Sequence, residues 1–74
     1  MDRLAFLNKL KWNYSVGWVF VAYEARAWRP LKKSVREDGE LKYRDCRTAS
    51  GASIDEAITN LLNVLNKDFQ ITPE

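Results

Sequence analysis

In the stretch YEARAWRPLKK, Tyr23 to Lys33, two aromatic rings are interleaved with four cations and a proline. Cations neutralise phosphates or carboxylates, and a ring among them supplies stacking or an apolar anchor, so this pattern suits binding. The candidate residues are Arg26, Trp28, Arg29, Lys32, Lys33 and Arg36, joined by Tyr43 and Arg44 from the segment that follows. Three readings compete. Trp, Tyr and Arg are the types enriched at protein–protein hot spots. The same set fits a nucleic-acid surface, with Arg and Lys on phosphates and Trp28 on a base. The plainest reading is a strand edge guarded by charge against pairing with another sheet. Protein binding is slightly ahead.

Other chemistries find little material. The chain has no histidine, so Ser–His and Cys–His nucleophile pairs and histidine zinc sites are excluded. A single cysteine, Cys46, builds neither a thiolate cage nor an internal disulfide. In RDCRT it reads as a small packed residue, although Arg44 and Arg47 would lower its pKa if it were exposed. The acids Glu37, Asp38 and Glu40 cluster at a turn, and Asp55 and Glu56 at a helix start, where carboxylates serve turns and dipoles. SGAS, Ser50 to Ser53, precedes a helix, but the acids in the first turn would repel an anion. No catalytic, metal or cofactor site is expected.

The elements that must position the basic and aromatic residues follow from periodicity. Asp2 can cap a short helix over about 3–11, which the Asn, Ser and Gly of WNYSVG terminate. Residues of about 16–28 are β-branched, aromatic or Ala and read as one strand, apolar on both faces in its first half. Further strands are expected over about 31–36 and 40–48. For the hairpin between them, a three-residue loop Glu37-Asp38-Gly39 pairs Val35 with Leu41 and Arg36 with Glu40, and is preferred over a two-residue turn. The last helix, about 54–67, is the clearest element. Ser53 and Glu56 form a capping box, and Ile54, Ala57, Ile58, Leu61 and Leu65 recur at helical spacing. The fold class is therefore α+β, in the order α-β-β-β-α: one domain over residues 1–74, with a three-stranded antiparallel sheet packed with two helices.

Totals narrow the class further. With 74 residues, 46% of them hydrophobic and 30% charged, the chain has the composition of a small globular domain. The single cysteine suits a reducing cytoplasm. MDRLAFLNKLKW is charged too often for a signal peptide, and Val16–Tyr23 is too short an apolar run to span a bilayer, so no membrane association is expected. Charge is uneven. Residues 1–36 carry eight Lys or Arg and two acids (8 − 2 = +6), residues 37–74 four and eight (4 − 8 = −4), which together give the net +2. A molecule of two differently charged regions is expected. The second apolar face of the first strand also raises homodimerisation as an expectation.

Two resemblances add to this. The element order resembles the double-stranded RNA-binding domain, over most of the chain. Where that family places lysines at the start of its last helix, SIDEAI has Asp55 and Glu56. The segments GWVFVAYEA and GASIDEAITNLLNVL also look like those of small phage-encoded α/β accessory proteins that inhibit a host protein. That resemblance covers about Val16 to Asn66. It implies a non-enzymatic interaction protein that occupies a host protein or nucleoprotein complex through one surface. Nucleic-acid binding by the same Arg, Lys and Trp patch is the alternative.

Overall fold

The computed structural model describes residues 2–73, and the side chains within them except those of Val35 and Glu37. A short 3₁₀ helix, Ala5–Leu10, leads into β1 (Asn13–Val19), β2 (Ala22–Glu37), β3 (Glu40–Gly51) and α1 (Ile54–Phe69). The strands form one antiparallel sheet in the order β1-β2-β3, so the expected α+β architecture is the observed one.

The N-terminal element is tighter than an α-helix. Asp2 Oδ1 accepts from the Leu4 N–H (2.9 Å) and its Oδ2 accepts from the Tyr14 hydroxyl (2.7 Å), tying the start of the chain to β1. These hydrogen bonds, the one from Tyr14 first, hold the Asp2 carboxyl below its ordinary pKa. The same bond is the main cause of the raised Tyr14 hydroxyl. Lys11, in the left-handed region at φ 64°, ends the segment, and the Trp12 N–H returns to the Leu7 carbonyl. The turn thus buries Leu4 and Leu7 and delivers Trp12 into the core.

The apolar run from Val16 to Trp28 is two strands and not the single one expected. β1 and β2 meet in a two-residue turn at Phe20–Val21, with Val19 opposite Ala22. Phe20 has φ 54° while Val21 keeps a negative φ, and a positive φ at the first position of a two-residue hairpin turn favours glycine. What looked like a strand with two apolar faces is therefore a hairpin that carries its apolar residues to its tip. The expected strands 16–28 and 31–36 become parts of β1 and a continuous β2.

The second hairpin also corrects the expectation. β2 and β3 join through a two-residue turn, Asp38–Gly39 at φ 52° and 80°, which pairs Val35 with Lys42, Arg36 with Leu41 and Glu37 with Glu40. Asp-Gly suits the two positive φ angles of a type I′ turn, and this local preference prevails over the charge pairing that a longer loop would offer. The irregularity lies further back. Pro30 pairs with Arg44 but Val35 with Lys42, so the four residues 31–34 face the single Tyr43. Pro30 has no N–H to give a ladder, and the bulge follows it directly.

One face of the sheet is covered. In β2 the residues Tyr23, Ala25, Ala27 and Arg29 point towards α1, and their partners in β3 are Gly51, Ala49, Arg47 and Asp45. Ala25 and Ala27 are fully buried, and as small residues they let α1 bring Ala57, Leu61 and Leu65 close to the sheet. Trp12, Leu4 and Leu7 fill the remaining volume, so both helical segments share one core on one face. Each fully buried apolar side chain of this size contributes about 1.5–3 kcal/mol. The molecule is 18 Å along its shortest axis, which leaves room for the sheet and one helical layer.

Helix α1 starts as its sequence predicts. Ser53 accepts from the Glu56 N–H (3.1 Å), and Asp55 and Glu56 occupy the positive end of the dipole. Gln70, at φ 57°, ends it: its N–H donates to the Asn66 carbonyl and the N–H of Ile71 to the Leu65 carbonyl, and Phe69 and Ile71 fold back onto the core. Gly51 is fixed by this junction, because a Cβ there would lie 2.6 Å from the Ala57 nitrogen and 2.9 Å from the Glu56 carbonyl carbon.

Two outcomes follow for stability. Phe20→Gly relieves the left-handed conformation and removes no buried contact, so denaturant unfolding should show a gain of about 0.5–1 kcal/mol and Tm should rise by several degrees. Gly51→Ala forces backbone against backbone, and the same measurement should show a loss of about 1–3 kcal/mol.

Candidate functional site

The opposite face of the sheet has no helix on it. Its residues alternate with the buried ones: Asn13, Ser15 and Gly17 from β1, Glu24, Arg26, Trp28 and Pro30 from β2, and Arg44, Cys46, Thr48 and Ser50 from β3. Most are exposed, and most are small or polar. Trp28 stands in the middle, between Asn13 on one side and Cys46 on the other.

Three of the residues picked out from sequence come together here. Arg26, Trp28 and Arg44 line one shallow cavity of ≈ 140 Å³, with Cys46 as the fourth member. Arg26 lies two residues before Trp28 on β2, hence on the same face, and Arg44 belongs to the next pair along the ladder. Glu24 accepts from Arg26 at 3.0 Å and holds its guanidinium along the face. Arg44 has no ion pair among the described residues. The half-buried indole gives the cavity an apolar wall, and the two guanidiniums supply planar donors for carboxylate or phosphate oxygens.

Lys32 and Lys33 lie in the bulge and Arg36 on the β2–β3 arm beyond it, and all three are exposed and without ion pairs among the described residues. Tyr43, 67% exposed, faces the bulge and lines a groove of ≈ 350 Å³ along β3 with Lys42, Arg44, Asp45, Cys46 and Arg47. The groove meets the cavity around Trp28 at Arg44 and Cys46, which line both, whereas Lys32, Lys33 and Arg36 line neither and extend the basic surface.

Arg29 belongs elsewhere. It lies on the covered face, where its Nε donates to Asp45 at 3.0 Å. Its guanidinium sits 4.9 Å from the Trp12 ring centroid and 5.5 Å from that of Phe69, and these two rings meet edge to face at 5.2 Å. Arg47 packs on Phe69 from another side (4.7 Å) and donates to Asp68 at 2.7 Å. Arg29 is thus a structural residue that closes one end of the core. The period of two separates it from Arg26 and Trp28, and that signal was present in the sequence.

Sequence reasoning reads Cys46 as a small packed residue and does not place it, or the small polar residues that make the face flat, beside Trp28. The β2–β3 register, set by the Asp38–Gly39 turn and the bulge after Pro30, places Cys46 there. The outer edge of β3 is guarded, since Arg47 Nη1 donates to the Cys46 carbonyl and Asn60 Nδ2 to the Ser50 carbonyl, both at 2.8 Å. Four acids are engaged in ion pairs: Asp45 with Arg29, Asp68 with Arg47, Asp55 with Arg3 and Glu24 with Arg26. Among the described residues no group of acids and cysteine is arranged to hold a metal ion, and no helix is long and apolar enough to cross a membrane.

Comparison with protein-family models, with curated proteins and with solved structures finds no match. The functional reading rests on the residues themselves.

The two arginine classes should separate in a stability measurement. Arg29→Ala loses its stacking on Trp12 and Phe69 and should cost about 1 kcal/mol or more in urea unfolding. Arg44→Ala should stay within about 0.5 kcal/mol of the parent.

Proposed function

We propose that this chain is a non-enzymatic binding domain that presents the open face of its sheet to an acidic partner surface. The observation that carries this is the convergence of Arg26, Trp28 and Arg44 on one cavity in an otherwise flat, small-residue face. Trp28 acts as the apolar anchor. Arg44, free of a competing acid among the described residues, takes a carboxylate in a bidentate contact, and Arg26 does so in exchange for Glu24. Lys32, Lys33 and Arg36 on the projecting arm steer the approach and raise the association rate.

A protein partner is the leading reading, because a Trp flanked by Arg is the composition of an interface hot spot. In this reading the chain works as the small phage-encoded inhibitors it resembles are expected to work, by occupying a host protein or nucleoprotein complex. A nucleic-acid partner is favoured by one specific feature: the ring lies on an open sheet face with cations on either side, which suits base stacking over a tracked backbone.

The test combines capture and titration. Wild type, Trp28→Ala and Arg44→Glu are compared in pull-down from host lysate and in fluorescence titrations with single-stranded DNA, duplex DNA and double-stranded RNA at two salt concentrations. A protein captured by wild type should bind each variant at least about tenfold more weakly, while the circular dichroism spectrum is unchanged. Nucleic-acid binding that falls steeply with salt would move that reading to first place. A partner bound equally well by all three proteins would overturn the assignment of this face.

A further inference from the structure

The two edges of the sheet are protected very differently. On β3 the carbonyls of Cys46 and Ser50 are taken by Arg47 and Asn60, and charged side chains recur along the strand. β1 has neither device. From Tyr14 to Tyr23 no residue is charged, β1 holds no proline, and its pairing with β2 runs from Asn13 to Val19 without a bulge. Charge, proline and bulges are the usual guards of a strand edge, and a strand that lacks them is a template for pairing.

The register identifies the groups this edge offers. Val19 and Ala22 flank a two-residue turn and so exchange hydrogen bonds, and Gly17, Ser15 and Asn13 follow them as every second residue. The N–H and C=O of Trp18, Val16 and Tyr14 therefore point away from β2. Among the described residues no backbone or side-chain group bonds to them. The side chains of the same three residues lie on the covered face, across from Tyr23, Ala25 and Ala27. Tyr14 and Val16 pack against the core, whereas Trp18 is 60% exposed and touches Tyr23 edge to face at 5.0 Å.

We propose that β1 pairs antiparallel with β1 of a second copy, about a two-fold axis at Val16, and joins two three-stranded sheets into one. A second copy is the occupant because this edge is complementary to itself. Asn13–Val19 has seven residues, so its midpoint is a residue, Val16, and full-length antiparallel pairing sets each outward residue opposite another outward residue. Tyr14 then exchanges hydrogen bonds with Trp18 of the second copy, and Val16 with its own counterpart. A slip by one residue sets outward groups against inward ones and is excluded. The side chains that meet are compatible: Tyr14 with Trp18 and Val16 with Val16 on the covered face, Ser15 with Gly17 and Asn13 with Val19 on the open face. No charge opposes a like charge. The contact is isologous, and the guarded β3 edges end the joined sheet on both sides, so assembly closes at the dimer. The axis stands normal to the sheet, which puts the two open faces side by side with both Trp28 cavities facing the same way. The dimer rests on the β1 edge alone; that it presents two binding sites rests on the reading of the Trp28 face given above.

Sedimentation velocity on the full chain, followed into the millimolar range, should show monomer passing to dimer and nothing larger. Gly17→Lys places a guard in the middle of β1. A Cβ there meets nothing within 4 Å, so the variant should keep its circular dichroism spectrum and lose dimer affinity at least about tenfold. Methylating the Val16 amide in a synthetic chain removes one outward donor, leaves the ladder with β2 intact, and should have the same effect. Cross-linking reads the register in a Cys46→Ser background. With diamide as oxidant, Val16→Cys brings two thiols together at the axis and should give a disulfide-linked dimer. Asn13→Cys puts them at opposite ends of the ladder and should not. Trp28→Ala should dimerise as wild type does, which separates this contact from the binding face. A wild type that stays monomeric, a mass that climbs past the dimer, or a Gly17→Lys protein that associates as wild type does overturns the proposal. So does cross-linking that is equal at positions 13 and 16.

Discussion

The stack of Trp12, Arg29 and Phe69, anchored by Asp45, joins four parts of the fold. Trp12 arrives from the N-terminal turn, Arg29 from the central strand, Asp45 from the outer strand and Phe69 from the last turn of α1. In a chain this small, an end of the core left open would admit water to most of it. A guanidinium can close such an end because its flat faces are poorly hydrated while its rim still hydrogen-bonds to a carboxylate. With that end sealed, Ala25 and Ala27 can be small and α1 can lie low on the sheet. The helical segments then need only one face of the sheet, and the other is left open to solvent.

Alternation along β2 is what divides the basic residues between these two tasks. Arg26 and Trp28 share a face, and Arg29, one step further, falls on the other. Arginines that look equivalent in sequence therefore differ in surroundings: one packs on rings at the end of the core, another lies in solvent with a tryptophan beside it. The hairpin tip is a third region with its own chemistry, apolar where the others are basic.

Sequence alone displayed the outlines of this and hid the registers. The last helix was legible to its first residue, because Ser53 and Glu56 announce the cap and the apolar spacing does the rest. The turn at Phe20–Val21 was not, since neither residue belongs to the types that make hairpin turns and the run around it is uniformly strand-like. With that turn missed, one long strand replaced two, and the share of the flat face that β1 supplies had no visible origin. In the second hairpin the Asp38-Gly39 signal was present, but side-chain pairing was given more weight than turn chemistry. Structure resolves that conflict by moving the extra residues to the bulge after Pro30, a position that pairing arguments across a short hairpin cannot reach.

The bulge also affects how this chain can change over generations. Shifting a strand by one residue ordinarily turns its buried side chains outward, so insertions and deletions in a sheet are purged. Here four residues face one at the base of the arm, and the ladder from Pro30 back to Tyr23 is set independently of the ladder from Val35 to Glu37. Length changes beyond Pro30 are absorbed there, and Ala25, Ala27 and Arg29 keep their orientation. The arm can thus lengthen, shorten and exchange its charges, while the half of the sheet that makes the core keeps its registry.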